Sequence, residues 1–212
     1  MTGLAELGRP DTPRARAAET KRVRSRARLL EAGGRLFRER GWLGTRMEDI
    51  AHEAGLSPAT AYNHFESKHH LIGTIYAPIF VPVMEHAERA IAEGGPIVDA
   101  LRAVVLHAAT LAREEQNLTI ALLGAVTEVT TKVGAPVSAN DPRRLVPFPF
   151  PVRDLIAEGQ RRGELNPVPN AADAGYFMTN AMLLHVMTRP DEPAEQTAEI
   201  TLTFLLGGLL PR

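Results

Sequence analysis

No part of the chain restricts the fold as tightly as the stretch from Thr45 to Leu71, TRMEDIAHEAGLSPATAYNHFESKHHL. Its helices must be short, because each junction is punctuated. Thr45 followed by Glu48 has the spacing of a capping box, in which a hydroxyl takes one orphan backbone N–H and a carboxylate reaches back for another. Met47, Ile50, Ala51 and Ala54 recur at the spacing of one apolar helix face. Gly55 stands where a helix ends in a left-handed residue, with Leu56 placed to fold back over the end. Ser57 and Pro58 restart the chain as a hydroxyl N-cap and a proline at the first helical position. The next helix, Pro58 to about Phe65, turns Ala61 and Phe65 inward and leaves Thr60, Tyr62, Asn63 and His64 for its other faces. Helix, glycine turn and short helix with hydrogen-bonding side chains outside make a helix-turn-helix, a unit that enters the DNA major groove. From shape alone, inert helical packing is an equal reading.

Charge separates the two readings. The net charge of −1 argues against a nucleic-acid partner, but residues 1 to 46 hold twelve of the 24 Lys and Arg residues against five acids. A basic front end on an acidic body neutralises phosphates locally and repels DNA elsewhere. Lys21 to Arg28, which abuts the helix-turn-helix, carries this argument better than Arg9 to Arg16.

The run Ile50-Ala51, Ala54-Gly55-Leu56-Ser57, Thr60, Tyr62, His64-Phe65 and Ser67-Lys68 resembles the N-terminal signature of the tetracycline-repressor (TetR) family of transcriptional regulators, over roughly residues 24 to 71. The resemblance implies an all-α fold with a three-helix DNA-binding unit followed by a helical ligand-binding and dimerisation domain. The expected division is a flexible basic arm over 1–21, the helix-turn-helix domain over 22–70, and an effector-binding and dimerisation domain over 71–212. The implied activity is repression, with a homodimer on a near-palindromic double-stranded DNA operator released by a small-molecule effector. Carried over residue by residue, the DNA-contacting set is Thr45 and Arg46 at the start of the second helix, Ser57, Pro58, Ala59, Thr60, Tyr62, Asn63 and His64 on the reading surface, and Lys68 on phosphate. Among these, the Asn63 amide both donates and accepts, as an adenine edge demands. The sequence departs from the family after Ser67-Lys68, where His69 and His70 replace a usual acid. That places two titratable groups near the expected DNA backbone, so affinity is expected to rise as pH falls through roughly 6.5.

Around this unit the pattern is helical throughout. Leu29, Leu30, Gly33, Leu36 and Phe37 form a stripe in a first helix from about Thr20 to Arg40, and Trp42 and Leu43 add bulk to its core. Ser67 caps a fourth helix that Pro78 and Pro82 are expected to kink or break. Further helices are expected over Ile97 to Glu115, Leu118 to Val133, Val152 to Arg162, Ala171 to Thr188 and Ala194 to Leu210, with a proline-rich loop over 134–151. The last helix is apolar nearly all round, so it needs burial on more than one side. In the family the last two helices pair with their two-fold mates, and a homodimer through them is expected here.

Other chemistries find little support. There is no cysteine, and none of the four serines lies in a nucleophile elbow. No glycine pattern cradles a nucleotide, no histidine spacing completes a metal motif, and neither cofactor nor catalytic residue is expected. No run reaches the ~20 apolar residues of a membrane span, so a cytoplasmic protein is expected. The rival reading is a helical-bundle enzyme or scaffold with an unused helix-turn-helix. For the effector, His107, Leu111, Leu122, Val126, Phe148, Phe150, Tyr176, Met178 and His185 are the candidate lining residues, a set suited to an apolar or aromatic molecule.

Overall fold

A computed structural model describes residues 12–131 and 138–210. Ten helices occur among them: α1 (Pro13–Arg40), α2 (Met47–Glu53), α3 (Pro58–His64), α4 (Lys68–Glu93), α5 (Ile97–Glu114), α6 (Gln116–Thr131), α7 (Pro142–Leu145), α8 (Phe150–Arg162), α9 (Ala171–Thr188) and α10 (Ala194–Leu209). None of the described helices is long and apolar enough to cross a membrane. The all-α class is as the sequence implies.

α1 starts earlier than its hydrophobic stripe. Thr12 caps it by accepting from the Ala15 N–H at 3.2 Å, Pro13 occupies the first turn, and alanines and arginines carry the helix to Ser25. Residues 13–21 are therefore helix, although they were expected within a flexible arm; the remainder of that arm, 1–11, lies outside the described residues. Only beyond Ser25 does α1 bury a face, Leu29, Leu36 and Phe37, against the helix-turn-helix and α4. Trp42 joins this core, but Leu43 does not. It is 91% exposed, so one large residue of the expected pair fills the α1–α2 junction.

α4 runs unbroken from Ser67, whose hydroxyl accepts from the His70 N–H at 3.1 Å, to Gly94 in the left-handed region. The break expected at Pro78 and Pro82 is absent. Both prolines lie on the exposed side of α4, one turn apart, so the carbonyls left without N–H partners can turn toward water. Proline still costs helix stability there. Pro82→Ala is expected to stabilise the protein by about 1–3 kcal/mol, read as a higher midpoint of thermal unfolding.

α5 is the centre of the larger domain, packed against α4, α8, α9 and α10. α6 crosses back onto α1 and α4, and the 138–149 segment holds the short α7, whose Leu145 closes on Gly73 of α4. A Cβ on Gly73 would stand 2.8 Å from Leu145, so a glycine lets these helices approach. α8 begins at Phe150, slightly before the expected Val152. α9 and α10 each bury one face within the chain. Their outer faces leave Phe177 73% and Phe204 76% exposed, with Tyr176 and Leu184 beside them.

Candidate nucleic-acid interface and effector cavity

Local signals build the helix-turn-helix. Gly55 has φ 63°, and a side chain at this position would also run into the Arg28 guanidinium lying over it. The Leu56 N–H returns to Ala51 O at 2.8 Å and closes the turn. The Ser57 hydroxyl accepts from the Thr60 N–H at 3.2 Å and pairs with the Thr60 hydroxyl at 2.9 Å, which starts α3 firmly. Ala61, Ile50 and Phe65 are wholly buried beneath it. Ser57, Pro58, Ala59, Tyr62 and Asn63 are exposed on one surface, with Thr60 and His64 half-buried at its edge. Tyr62 donates its hydroxyl to Glu48 at 3.3 Å, whereas no polar contact within the protein engages the Asn63 side chain among the described hydrogen bonds.

Two of the expected DNA contacts, Thr45 and Lys68, are turned into the protein. Thr45 is wholly buried and donates to Gly41 O at 2.8 Å and Leu36 O at 3.2 Å, tying the α1–α2 junction from inside. It does not cap α2. That position belongs to Arg46, whose backbone N–H donates to Asp49 at 3.2 Å, while the Arg46 side chain is exposed. Lys68 turns inward as well. Its ammonium donates to Trp42 O at 2.7 Å and Thr45 O at 2.8 Å and sits 3.8 Å from the centre of the Trp42 ring. Lys68 thus fastens α4 to the DNA-binding unit rather than facing phosphate.

His69 and His70 follow Lys68 inward. His69 packs on Trp42 at 4.7 Å, with Nε2 3.7 Å from Glu128, and His70 packs edge-on against Phe65 at 5.2 Å. Both rings are half-buried with partners inside the protein, so the expected rise of affinity at low pH loses its basis. The pH effect falls on stability instead. Burial, helped by Arg26 and opposed by Glu66, holds the His70 pKa below 6.5. The unfolded chain then takes up the proton first, so stability is full above pH 6.5 and is lost as pH falls through the depressed folded value. His64 and His107 are lowered too and add to the same slope. Thermal midpoints are expected to fall between pH 7.5 and 5.5, less steeply in His70→Gln.

Arg22 and Arg26, not assigned as contacts from the sequence, complete the cationic surface. They lie close enough to His64 to lower its pKa, after burial itself, and Arg26 stacks over Phe65 at 4.9 Å. Farther along, Lys21, Arg24 and Arg28 line an open groove of about 420 Å³ between α1 and the turn at Leu56. The signal for them was available in the sequence as basic residues one helical turn apart, 22 with 26 and 24 with 28.

The helices of the larger domain enclose a second candidate site. Tyr76, Phe80 and Val83 of α4, Leu111 of α5, Phe148 and Thr179 of α9 are among the walls of a cavity of about 10 Å³ that bears no charged side chain. The Tyr76 hydroxyl pairs with Thr119 at 2.7 Å, and burial pushes its pKa up to about 12. Of the residues anticipated as effector contacts, Leu111 and Phe148 meet here. Leu122 is core and Val126 half-buried on α6. Phe150 lies under the Arg153 guanidinium at 3.8 Å. Tyr176 and Met178 line an outer groove of about 610 Å³ with Phe177 and Phe204. His107 faces His86, Nδ1 to Nδ1 at 3.3 Å, and His185 bonds Glu192 at 2.7 Å. Among the residues missed, Tyr76, Phe80, Val83, Thr179 and Met182 recur one turn apart on α4 and α9 and read from sequence as ordinary core.

α6 connects this domain to the DNA-binding unit at both ends. Arg38 of α1 donates to Glu115 at 2.9 Å and receives the Asn117 amide on its carbonyl at 3.0 Å. At the other end the Trp42 indole N–H donates to Glu128 at 2.8 Å, and a Cβ on Gly124 would stand 3.0 Å from Trp42.

Residues 29–75 match the sequence signature of the bacterial regulatory proteins of the tetR family. Over its length the chain is similar to the HTH-type transcriptional regulator UidR of Escherichia coli K12, 26% identical over 205 residues that cover 91% of this chain and 96% of UidR. The fold is similar to that of Thermus thermophilus FadR, a TetR-family repressor crystallised with lauroyl-CoA, with a TM-score of 0.69 at 23% identity over 88% of this chain and 96% of FadR. It is similar also to SmeT, repressor of the Stenotrophomonas maltophilia efflux pump SmeDEF, with a TM-score of 0.63 at 20% identity over 88% of this chain and 90% of SmeT.

Proposed function

We propose that this chain is a transcriptional regulator of the TetR family, a cytoplasmic repressor that binds a near-palindromic operator as a homodimer and leaves it when a small molecule enters the larger domain. The observation that carries this reading is the exposed surface of α3, where no described protein hydrogen bond engages the Asn63 side chain, with Arg22 and Arg26 beside His64 and the Arg46 side chain exposed at the start of α2. Arginines there position the protein on phosphate, and the amide reads a base edge. A two-fold dimer presents two such surfaces about one helical turn apart. The outer faces of α9 and α10 supply an apolar surface suited to the dimer contact.

Release follows from what α4 and α6 join. Both helices touch the DNA-binding unit, through Lys68 and Trp42, and α4 also walls the effector cavity. A molecule that parts the cavity walls moves α4, and the reading surfaces of the two protomers then lose their spacing. The effector in this reading is apolar or aromatic.

Selection of bound duplexes from a random pool tests the proposal. It should return a near-palindrome, and Asn63→Ala should cost about 1–3 kcal/mol on that sequence while relaxing one base position per half-site. Recovery of no common sequence, or an equal loss on selected and random DNA, contradicts it.

A further inference from the structure

The cavity beneath α4 carries one polar group that the fold leaves unused. Thr179 lines it, is itself buried, and its hydroxyl has no protein partner. The other wall hydroxyl, Tyr76, is already paired with Thr119 at 2.7 Å. The remaining walls are alkyl and aromatic, with Phe148 meeting Tyr76 and Phe80 edge-on at 5.5 and 4.9 Å.

A buried hydroxyl without a partner destabilises the fold relative to an apolar group of the same shape, unless something else engages it. A charged ligand cannot do so here, because an ion buried among these walls would meet no opposite charge. An apolar ligand would leave the hydroxyl as it is. A neutral molecule with one oxygen satisfies it, by accepting from the Thr179 O–H or by donating to it.

Room must be made, since about 10 Å³ admits at most one water. The wall that gives most readily is α4. Pro78 and Pro82 remove two backbone N–H donors on either side of Phe80, so the helix is least supported along the segment that faces the cavity.

We propose that this cavity takes an uncharged, largely aromatic or alkyl molecule carrying a hydrogen-bonding oxygen, anchored by the Thr179 hydroxyl and admitted by displacement of Phe80 and the proline-flanked part of α4. The proposal rests on the reading that the regulator answers to a small molecule, and it names the chemistry of that molecule.

Fluorescence titration of the full-length protein with 1-naphthol, naphthalene and 1-naphthoate tests it. 1-Naphthol should bind about 5-fold more tightly than either of the others, the order of the factor that one neutral hydrogen bond supplies. Thr179→Val should reduce 1-naphthol to the affinity of naphthalene and raise the thermal midpoint of the unliganded protein. Preference for 1-naphthoate, a 1-naphthol advantage that survives in Thr179→Val, or binding of none of the three overturns the proposal. Operator retention measured in parallel separates the two levels. Thr179-dependent binding that leaves operator affinity unchanged upholds the site and overturns release. Equal release by 1-naphthol from wild type and Thr179→Val upholds release and overturns the anchor.

Discussion

Phe177→Glu combined with Phe204→Glu is expected to turn the dimer into a folded monomer and to weaken operator binding by roughly 100-fold or more. Both rings stand largely in solvent on the outer faces of α9 and α10, so the chain's own core does not depend on them. In the proposed dimer they stand at the centre of an apolar contact, where a carboxylate would be buried without a partner. The loss on DNA follows from linkage: a dimer binds its second half-site as an intramolecular event, and a monomer does not. Sedimentation and operator binding of the double variant check this. A variant that stays dimeric would move the interface away from this face.

Trp42→Ala carries the largest expected cost in stability, about 3–5 kcal/mol, which for a protein of this size lowers the thermal midpoint by roughly 10 °C. Besides the His69 ring packed on it at 4.7 Å, four things rest on this side chain. It stacks on Phe37 at 5.9 Å, closes on Gly124, donates to Glu128 at 2.8 Å and lies under the Lys68 ammonium. Burial lowers the Lys68 pKa and Glu128 raises it, so the ammonium depends on this setting. Trp42→Phe keeps most of the packing and forfeits the bond to Glu128, so it should fall well between wild type and Trp42→Ala. Because Trp42 joins α6 to the DNA-binding unit, the same variant should also loosen the link between cavity and α3. An effect on stability with no change in ligand response would assign Trp42 to packing alone.

The helix-turn-helix was legible because its signals are local. Gly55, Ser57-Pro58 and the spacing of Ile50, Ala51 and Ala54 each act within a turn or two of chain, and the structure uses them as they read. α1 before Ser25 was hidden for the opposite reason: it buries no apolar stripe and stands on helix propensity and a threonine cap. Thr45 and Lys68 were misplaced because their partners are tertiary. The Lys68 ammonium reaches carbonyls more than twenty residues back in the chain, and no spacing rule encodes that return. Leu43 looked like core and is solvent, since one residue, Trp42, fills the space. The cavity was the least legible part. Its walls come from α4, α5, α8 and α9, whose inward faces look alike from sequence until the fold decides which of them leave a gap.

The central claim, a specific regulator of DNA, is tested most directly by binding the purified protein to the DNA flanking its own gene and to random DNA of equal length, across a salt series. Nanomolar affinity with a preference of ~10³ or more, retained as salt weakens both, is the predicted result. Binding that shows no preference and fades equally on both DNAs would contradict it.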